Sequence, residues 1–184
     1  MRKNRLDTKT MILCSLFTAL IAVGAFIRIP LPVTVFSLQF TFVLLSGMIL
    51  GSRAGALSSL LYVVIGLIGF PVFTEGGGIG YMLKPTFGYL IAFIAASFIV
   101  GLTREKYGTK SVSKLIAGCI LAMIITYAIG TVYTYFILKY VAHTPIPYIA
   151  CLASLFPFAF VKDLFSCIIV SIAAPRLLKI SNVK

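Results

Sequence analysis

The stretch LIAGCILAMIITYAIGTVYTYFIL, from Leu115 to Leu138, contains 24 residues and no charged side chain. A helix rises about 1.5 Å per residue, so a helix of this length spans the roughly 30 Å hydrocarbon core of a bilayer. The run is continuous and does not alternate between apolar and polar residues, as a half-buried strand would. The stretch therefore predicts a transmembrane helix and places the chain among membrane proteins.

Five further apolar segments bring the predicted number of membrane-spanning helices to six. The approximate spans are 11–27, 36–52, 55–71, 86–103, 113–139 and 157–178. Of the 184 residues, 60% are hydrophobic and only 11% are charged, which is more apolar surface than a water-soluble domain of this length can bury. An open sheet in lipid would leave backbone groups unpaired. We therefore expect an all-α integral membrane protein with a single six-helix domain over residues 1–184.

The basic residues predict how these helices are oriented. The chain has 16 Lys and Arg against 4 Asp and Glu, a net charge of +12. Twelve basic residues fall on one side of the predicted bundle: Arg2, Lys3, Arg5, Lys9, Arg53, Arg104, Lys106, Lys110, Lys114, Arg176, Lys179 and Lys184. The other side holds only Arg28, Lys84 and Lys139. By the positive-inside rule both termini are cytoplasmic, in a multi-pass protein of the cell membrane, and the charge does not indicate a nucleic-acid partner.

Lys162 differs from the other basic residues because it falls inside the last apolar segment, next to Asp163. Charged side chains within a membrane segment cost a few kcal/mol each, so we expect this pair to face a polar cavity or the bundle interior. The alternative is that the two charges only neutralise each other, or snorkel from a helix that starts near Pro157. Consecutive helical residues point about 100° apart, so we expect one to face the cavity and the other a helix interface.

The predicted loop GFPVFTEGGGIGYMLKPTFG, from Gly69 to Gly88, is rich in glycine and aromatic residues. Glycine allows close backbone approach, and aromatic rings offer flat apolar walls to a ligand. The pattern favours a ligand-binding or lid function, although a tightly packed connector is the alternative. The candidate binding residues in and beside this loop are Phe73, Glu75, Gly77, Gly80, Tyr81, Lys84 and Tyr89.

The sequence offers little for catalysis or metal binding. His143 is the only histidine, the acidic residues are not clustered, and no cysteine spacing is typical of a metal site. The glycine cluster lacks the GK[ST] ending of a P-loop, so no nucleotide motor is predicted. We expect no catalytic residues, no bound metal and no cofactor.

Small residues at helical spacing mark one face of the first segment. Ser15 and Ala19 are four residues apart, as are Thr18 and Ala22. Faces of this kind let a second helix approach closely in a membrane. The partner is either a helix of the same chain or another subunit.

Two stretches of the sequence resemble the BioY family of biotin transporters, which are the substrate-binding S components of energy-coupling-factor (ECF) uptake systems. The first is IPLPVTVFSLQFTFVLLSGMILGSRAGALSSLLYVVIGLIGFPVF, from Ile29 to Phe73. It is similar to the family in its proline-bearing loop, in Gln39 at the start of the second segment, in an LLxGxxLGxRxGALS turn and in a GLxGxPVF ending. The second, GGGIGYMLKPTFGYLIAF from Gly76 to Phe93, resembles the family's glycine-rich loop and PTxGYLxGF helix start.

The sequence departs from the family pattern at several positions. It has Lys84, Phe87 and Ala92 where the family commonly has glycine. In the last segment the family pattern is similar to PGDLIK, and this chain retains the proline and Lys162 but has Ala159 in place of the aspartate. Asp163 is expected to compensate from a different direction of the helix.

The resemblance implies capture of extracellular biotin by a six-helix S component, driven by a transmembrane coupling subunit and two ATP-binding subunits. It implies that Phe73, Tyr81 and Tyr89 wall the apolar part of biotin, that Gln39 or Asp163 pairs with the ureido group, and that Lys84 or Lys162 attracts the carboxylate. Backbone N–H groups near residues 77–80 and Thr86 would contribute further bonds. Ser15, Ala19 and Ala22 would dock onto the coupling subunit. The alternatives are a solo oligomeric transporter, an S component for another vitamin, an intramembrane enzyme and a structural membrane subunit.

Overall fold

The structure of the chain is a computed structural model that describes residues 7–30, 35–109, 111–144, 146–153 and 158–181. Three groups of predicted features lie outside these residues. They are the start of the last predicted span at Pro157, the N-terminal basic residues Arg2, Lys3 and Arg5, and the basic residues Lys110 and Lys184.

The described part of the chain is built mainly from helices. They are α1 (Thr8–Phe26), α2 (Gln39–Leu50), α3 (Ser52–Ile68), α4 (Phe87–Tyr107), α5 (Val112–Tyr140), the short α6 (Tyr148–Ala153) and α7 (Phe158–Ser181). A 3-10 helix, Ile79–Leu83, lies in the connection between α3 and α4. Each predicted span overlaps one of the six longer helices, and the helical class is confirmed.

The helices have the length and composition of membrane segments. α1, α4 and α5 are long and apolar enough to cross a membrane, while the apolar helices α2 and α3 are shorter, with 12 and 17 residues. Large apolar side chains such as Ile12, Leu16 and Phe165 are more than half exposed on the bundle surface. So much exposed apolar surface is unfavourable in water and favourable against lipid tails.

A small hairpin that the sequence did not predict connects α1 to α2. Its strands are β1 (Arg28–Pro30) and β2 (Val35–Ser37), which pair antiparallel with Arg28 opposite Ser37. Three residues are too few to produce a recognisable alternation of apolar and polar side chains. The hairpin fixes the backbone of Ser37 two residues before α2, where its carbonyl oxygen becomes part of the site described below.

Small residues allow α2, α3 and α4 to pack closely. A Cβ atom added to Gly47 of α2 would lie 2.2 Å from the backbone oxygen of Ser97 in α4. Next to this contact, the hydroxyl of Ser59 in α3 donates to the hydroxyl of Ser97 over 3.1 Å. The backbones of the three helices therefore lie in close contact. A buried hydrogen bond between small side chains holds them together where larger side chains would not fit.

At the end of the bundle away from the hairpin, side chains from the end of α4 bond to the turn between α2 and α3. Gly51 adopts a φ of 91°, which favours glycine. The Glu105 carboxylate accepts from the backbone N–H of Ser52 over 2.7 Å and also from its hydroxyl. An acidic group at the first residue of α3 is favourable because it faces the positive end of the helix dipole. The guanidinium of Arg104 donates to the Ile49 carbonyl over 3.2 Å.

We predict that Gly47→Ala destabilises the bundle, although alanine is the better helix former. The added methyl group must push α4 away from α2, and overpacking of this kind costs about 1–3 kcal/mol, more than the up to ~1 kcal/mol that helix propensity returns. The measurement is the midpoint of thermal unfolding in detergent. Gly80→Ala is the matched control, because a Cβ atom at Gly80 would meet nothing within 4 Å. Equal midpoints for the two variants would contradict the prediction.

Candidate functional site

A cavity lies at the end of the bundle where α2, α4 and α7 begin. Side chains from these helices, from the middle of α5 and from two connections surround it. The lining residues are Ser37, Gln39, Phe40, Thr74, Thr86, Tyr89, Leu90, Phe93, Thr126, Tyr127, Ala159, Lys162 and Asp163. Its walls thus combine aromatic rings with hydroxyl, amide, ammonium and carboxylate groups.

The charged pair of α7 is buried in this cavity. Lys162 Nζ lies 2.5 Å from Asp163 Oδ1, and the two side chains are only 15% and 7% exposed. The ammonium also donates to the Ser37 carbonyl over 2.5 Å. Asp163 Oδ2 accepts from the Tyr127 hydroxyl over 2.7 Å. The pair therefore connects α7 with the hairpin on one side and with α5 on the other.

The structure changes two expectations about this pair. Both Lys162 and Asp163 line the cavity, whereas the sequence predicted that one would face a helix interface. The long Lys162 side chain lets its ammonium group reach the Asp163 carboxylate although adjacent helical residues point about 100° apart. Ala159 also lines the cavity. Residues four apart share a helix face, so Asp163 lies in the same direction as Ala159 and not in a different one.

Gln39 is held in the cavity wall by two hydroxyl groups. Its Nε2 donates to the Tyr62 hydroxyl over 2.6 Å, and its Oε1 accepts from the Ser37 hydroxyl over 3.3 Å. The Tyr62 hydroxyl in turn donates to the Val72 carbonyl over 3.0 Å. This chain of bonds joins the start of α2 to α3 and to the connection that follows α3.

The connection between α3 and α4 contributes hydroxyl groups to the cavity and aromatic rings behind it. The hydroxyl of Tyr81 lies 2.9 Å from the Thr74 hydroxyl and 3.1 Å from the Thr86 hydroxyl. Phe73 packs between Tyr81 and Tyr62, with ring centroids 4.6 and 5.4 Å away. Phe73 and Tyr81 thus support the wall, while Thr74 and Thr86 form part of its surface.

The structure brings only some of the predicted site residues to the cavity surface. Those that line it are Gln39, Thr86, Tyr89, Lys162 and Asp163. Those placed elsewhere are Phe73, Glu75, Gly77, Gly80, Tyr81 and Lys84. Glu75 and Lys84 form an ion pair of 3.1 Å, about half exposed to solvent. A Cβ atom at Gly77 would lie 2.1 Å from the carbonyl oxygen of Phe70, so this glycine allows the loop backbone to pack on itself.

The remaining lining residues were not predicted from the sequence. They are Ser37, Phe40, Thr74, Leu90, Phe93, Thr126, Tyr127 and Ala159. Two of them could have been predicted, because Thr126 and Tyr127 are adjacent polar residues in the middle of the uncharged apolar run 115–138. Polar side chains at such depth tend to face the interior of a membrane bundle. The others are ordinary helix-start or loop residues whose position depends on the fold.

The chemistry of the cavity suits a small organic molecule. Its volume is about 60 Å³, compared with roughly 300–1,000 Å³ for pockets that enclose drug-sized ligands. A ligand of that size therefore binds only if side chains in the wall move apart.

No group of three or more His, Cys, Asp or Glu side chains that would hold a metal ion occurs within the described ranges.

The small residues of α1 line a second concave surface, which we name the α1 groove. Its volume is about 300 Å³, and its lining is Ser15, Thr18, Ala19, Ala22, Val23, Phe26, Tyr62, Ile65 and Val72. Ser15 and Ala19 are exposed, and Ala22 is half-buried. All three residues that the sequence assigned to partner docking thus lie on one accessible surface.

An apolar helical bundle with a buried, charged cavity at one end is typical of membrane proteins that bind a small solute. The family model described as the BioY family matches residues 1–182. The chain therefore belongs to the BioY family, and the resemblance seen in the sequence is confirmed.

Known proteins of this family extend the comparison. The chain is 46% identical to the "Probable biotin transporter BioY" of Lysinibacillus sphaericus over 129 residues, which cover 70% of this chain and 66% of that protein. It is 40% identical to the "Biotin transporter BioY" of Thermotoga maritima over 136 residues, or 73% and 77% of the two chains. The crystal structure of the S-component for biotin from an ECF-type ABC transporter superimposes with a TM-score of 0.70, at 25% identity and 95% coverage of both chains.

We predict that Lys162→Met destabilises the protein more than the double variant Lys162→Met/Asp163→Asn. Removing one partner leaves the buried Asp163 carboxylate without its counter-charge, which costs about 3–5 kcal/mol, whereas removing both charges is often close to neutral. The midpoint of thermal unfolding in detergent measures the difference. A double variant as unstable as the single one, or less stable, would contradict the prediction, because the loss would then not come from the unpaired Asp163 carboxylate.

Proposed function

We propose that the chain is the biotin-binding S component of an ECF-type uptake system in the cell membrane, driven by a separate ATPase module. One observation carries this proposal: a chain of the BioY family buries a lysine, an aspartate and an amide in a single cavity at one end of its bundle. The relatives named biotin transporters and the solved biotin S-component support the choice of ligand. None of these relatives is named as an enzyme.

Biotin matches the groups in the cavity. Its fused rings and aliphatic tail are apolar and fit against Phe40, Tyr89 and Phe93. Its ureido group donates through N–H and accepts through its carbonyl, so it can pair with the Gln39 amide and the Asp163 carboxylate. Its carboxylate is attracted by the Lys162 ammonium.

Binding on this scheme requires the cavity to widen. The end of the connection between α3 and α4 is attached to α5 by two hydrogen bonds, from the Tyr133 hydroxyl to the Met82 carbonyl over 2.5 Å and from the Thr134 hydroxyl to the Pro85 carbonyl over 2.9 Å. Breaking two such bonds costs little compared with unfolding a helix, because each contributes only about 1 kcal/mol net. We therefore propose that the segment from Met82 to Pro85 moves as biotin enters.

The proposed orientation is six spans with both termini in the cytoplasm. The cavity end carries the connections with few basic residues, including Arg28 and Lys84. The opposite end carries Lys106 and Lys114, which lie over the Tyr107 ring at 5.3 and 4.5 Å. A cytoplasmic position for the basic end follows the positive-inside rule and turns the cavity towards the outside.

We predict that purified protein binds biotin in calorimetric titrations, and neither thiamine nor riboflavin under the same conditions. Asp163→Asn and Tyr127→Phe should each weaken biotin binding about 10- to 100-fold, because hydrogen bonds to charged groups are worth about 1.5–3 kcal/mol. Val161→Ala is the matched control on α7, since Val161 is 46% exposed on the bundle surface and does not line the cavity. Unchanged biotin affinity in Asp163→Asn would remove Asp163 from the binding site, and preferential binding of another vitamin would replace the proposed ligand.

The coupling to ATP hydrolysis is proposed to occur through the α1 groove. A transmembrane coupling subunit, bound in turn to two ATP-binding subunits, would pack a helix against Ser15, Ala19 and Ala22. Small residues let two helices pack closely enough for van der Waals contacts to hold them together. This matters in lipid, because no hydrophobic effect drives helices together there. A solo oligomeric transporter is the second candidate, because the same groove equally suits a helix of another copy.

We predict that Ala19→Trp abolishes assembly with the coupling subunit while biotin binding persists. The indole would fill the α1 groove, whereas the cavity is on the other side of Tyr62. Leu16→Trp is the control, because Leu16 is on the same helix, 52% exposed and outside the groove. Co-purification with the coupling subunit and biotin titration are the two measurements. Uptake that needs no ATPase partner, and that fails in Ala19→Trp, would favour the oligomeric transporter.

A further inference from the structure

Tyr62 lies between the cavity and the α1 groove and contacts both of their walls. Its side chain is only 1% exposed, and it lines the α1 groove, not the cavity. The ring packs edge-on against Phe73 at 5.4 Å, and Phe73 itself fills the space left by Gly66, where an added Cβ would lie 2.1 Å from the ring. Tyr62 is therefore held firmly and has little freedom to turn.

The hydrogen-bond partners of Tyr62 determine which way round the Gln39 amide lies. The Val72 carbonyl can only accept, so the single hydroxyl hydrogen of Tyr62 is directed to it. Towards Gln39 the hydroxyl oxygen can then only accept. The Gln39 atom at 2.6 Å must be the nitrogen, as the structure has it.

The other end of the Gln39 amide is consequently turned towards the cavity. Gln39 Oε1 lies 3.3 Å from the hydroxyl of Ser37, which lines the cavity together with Gln39. A carbonyl oxygen has two lone pairs, and Ser37 occupies one of them. The second can accept from a ligand.

We propose that Tyr62 is a positioning residue for substrate recognition: it fixes the Gln39 amide with its oxygen facing the cavity, so that Gln39 accepts a hydrogen bond from an N–H group of the ligand. The inference rests on the proposed function, in which that group is a ureido N–H of biotin. Tyr62 acts through Gln39 and does not itself touch the ligand. Without the Tyr62 hydroxyl, the Gln39 amide can rotate and present its own N–H group to the N–H group of the ligand. Two donors do not form a hydrogen bond.

A double-mutant cycle on biotin affinity tests this role. Tyr62→Phe alone should weaken biotin binding about 5- to 20-fold, which is the range expected for a lost or mismatched hydrogen bond. Gln39→Met alone should weaken it by at least as much. If Tyr62 acts through Gln39, adding Tyr62→Phe to Gln39→Met should have no further effect. A hydroxyl with a general structural role would lower affinity by the same factor in both backgrounds, and that result would overturn the proposal.

Tyr133→Phe is the matched control for the loss of a phenol group. The Tyr133 hydroxyl also donates to a backbone carbonyl, that of Met82, but it makes no contact with Gln39. Its effect on biotin affinity should be the same in the wild-type and Gln39→Met backgrounds. Unfolding midpoints of all variants without ligand show whether each one is folded at the temperature of the titration.

A measurement without ligand separates this inference from the proposed function. The side-chain N–H protons of Gln39, identified in NMR spectra by their loss in Gln39→Met, should exchange slowly with solvent in the wild type and at least tenfold faster in Tyr62→Phe. Equal exchange rates would overturn the positioning role even if biotin binds. Slow wild-type exchange with no biotin binding would instead retain the positioning of Gln39 and reject biotin as the ligand.

Discussion

The ammonium group of Lys162 sits between two oxygen atoms, each 2.5 Å away, and much of the site depends on this contact. An unpaired charge inside an apolar bundle would cost several kcal/mol, so the structure must supply partners. One is the Ser37 carbonyl, which requires the hairpin to end at the cavity. The other is Asp163, whose second oxygen holds the Tyr127 hydroxyl. Pairing one buried charge thus sets the relative positions of the hairpin, α5 and α7.

The sequence predicts the helices better than it predicts the contacts between them. Continuous apolar runs are a property of the local sequence, so the six longer helices overlap the predicted spans. The hairpin and α6 are too short to leave a periodic pattern. The contacts that build the cavity join residues far apart in the chain, such as Tyr127 with Asp163 and Gln39 with Tyr62, and depend on helix packing that no local pattern records.

The charged residues of the candidate site could be predicted from the sequence, but the function of its aromatic residues could not. Lys162 and Asp163 stand out because charge is rare in membrane segments, and both line the cavity. The aromatic residues of the loop are equally conspicuous, yet Phe73 and Tyr81 lie behind the wall. An aromatic ring is as useful for filling space as for contacting a ligand, and residue type alone does not separate the two. The Tyr81 hydroxyl shows what the supporting layer does, because it holds the hydroxyl groups of Thr74 and Thr86.

Tyr62, a second residue behind the cavity wall, also connects the cavity with the α1 groove. Its hydroxyl bonds to Gln39 in the cavity wall, and its side chain together with Val72 forms part of the α1 groove. A ligand that bonds to Gln39 is therefore one hydrogen bond away from a side chain that lines the α1 groove. On the proposed function, a helix that packs into the groove and changes the Tyr62–Gln39 bond would change the affinity of the cavity for biotin, and by linkage biotin would change the affinity of the groove for that helix by the same factor. In the proposed S component, which would bind its substrate in the cavity and its motor at the α1 groove, the two surfaces are separated by a single phenol ring.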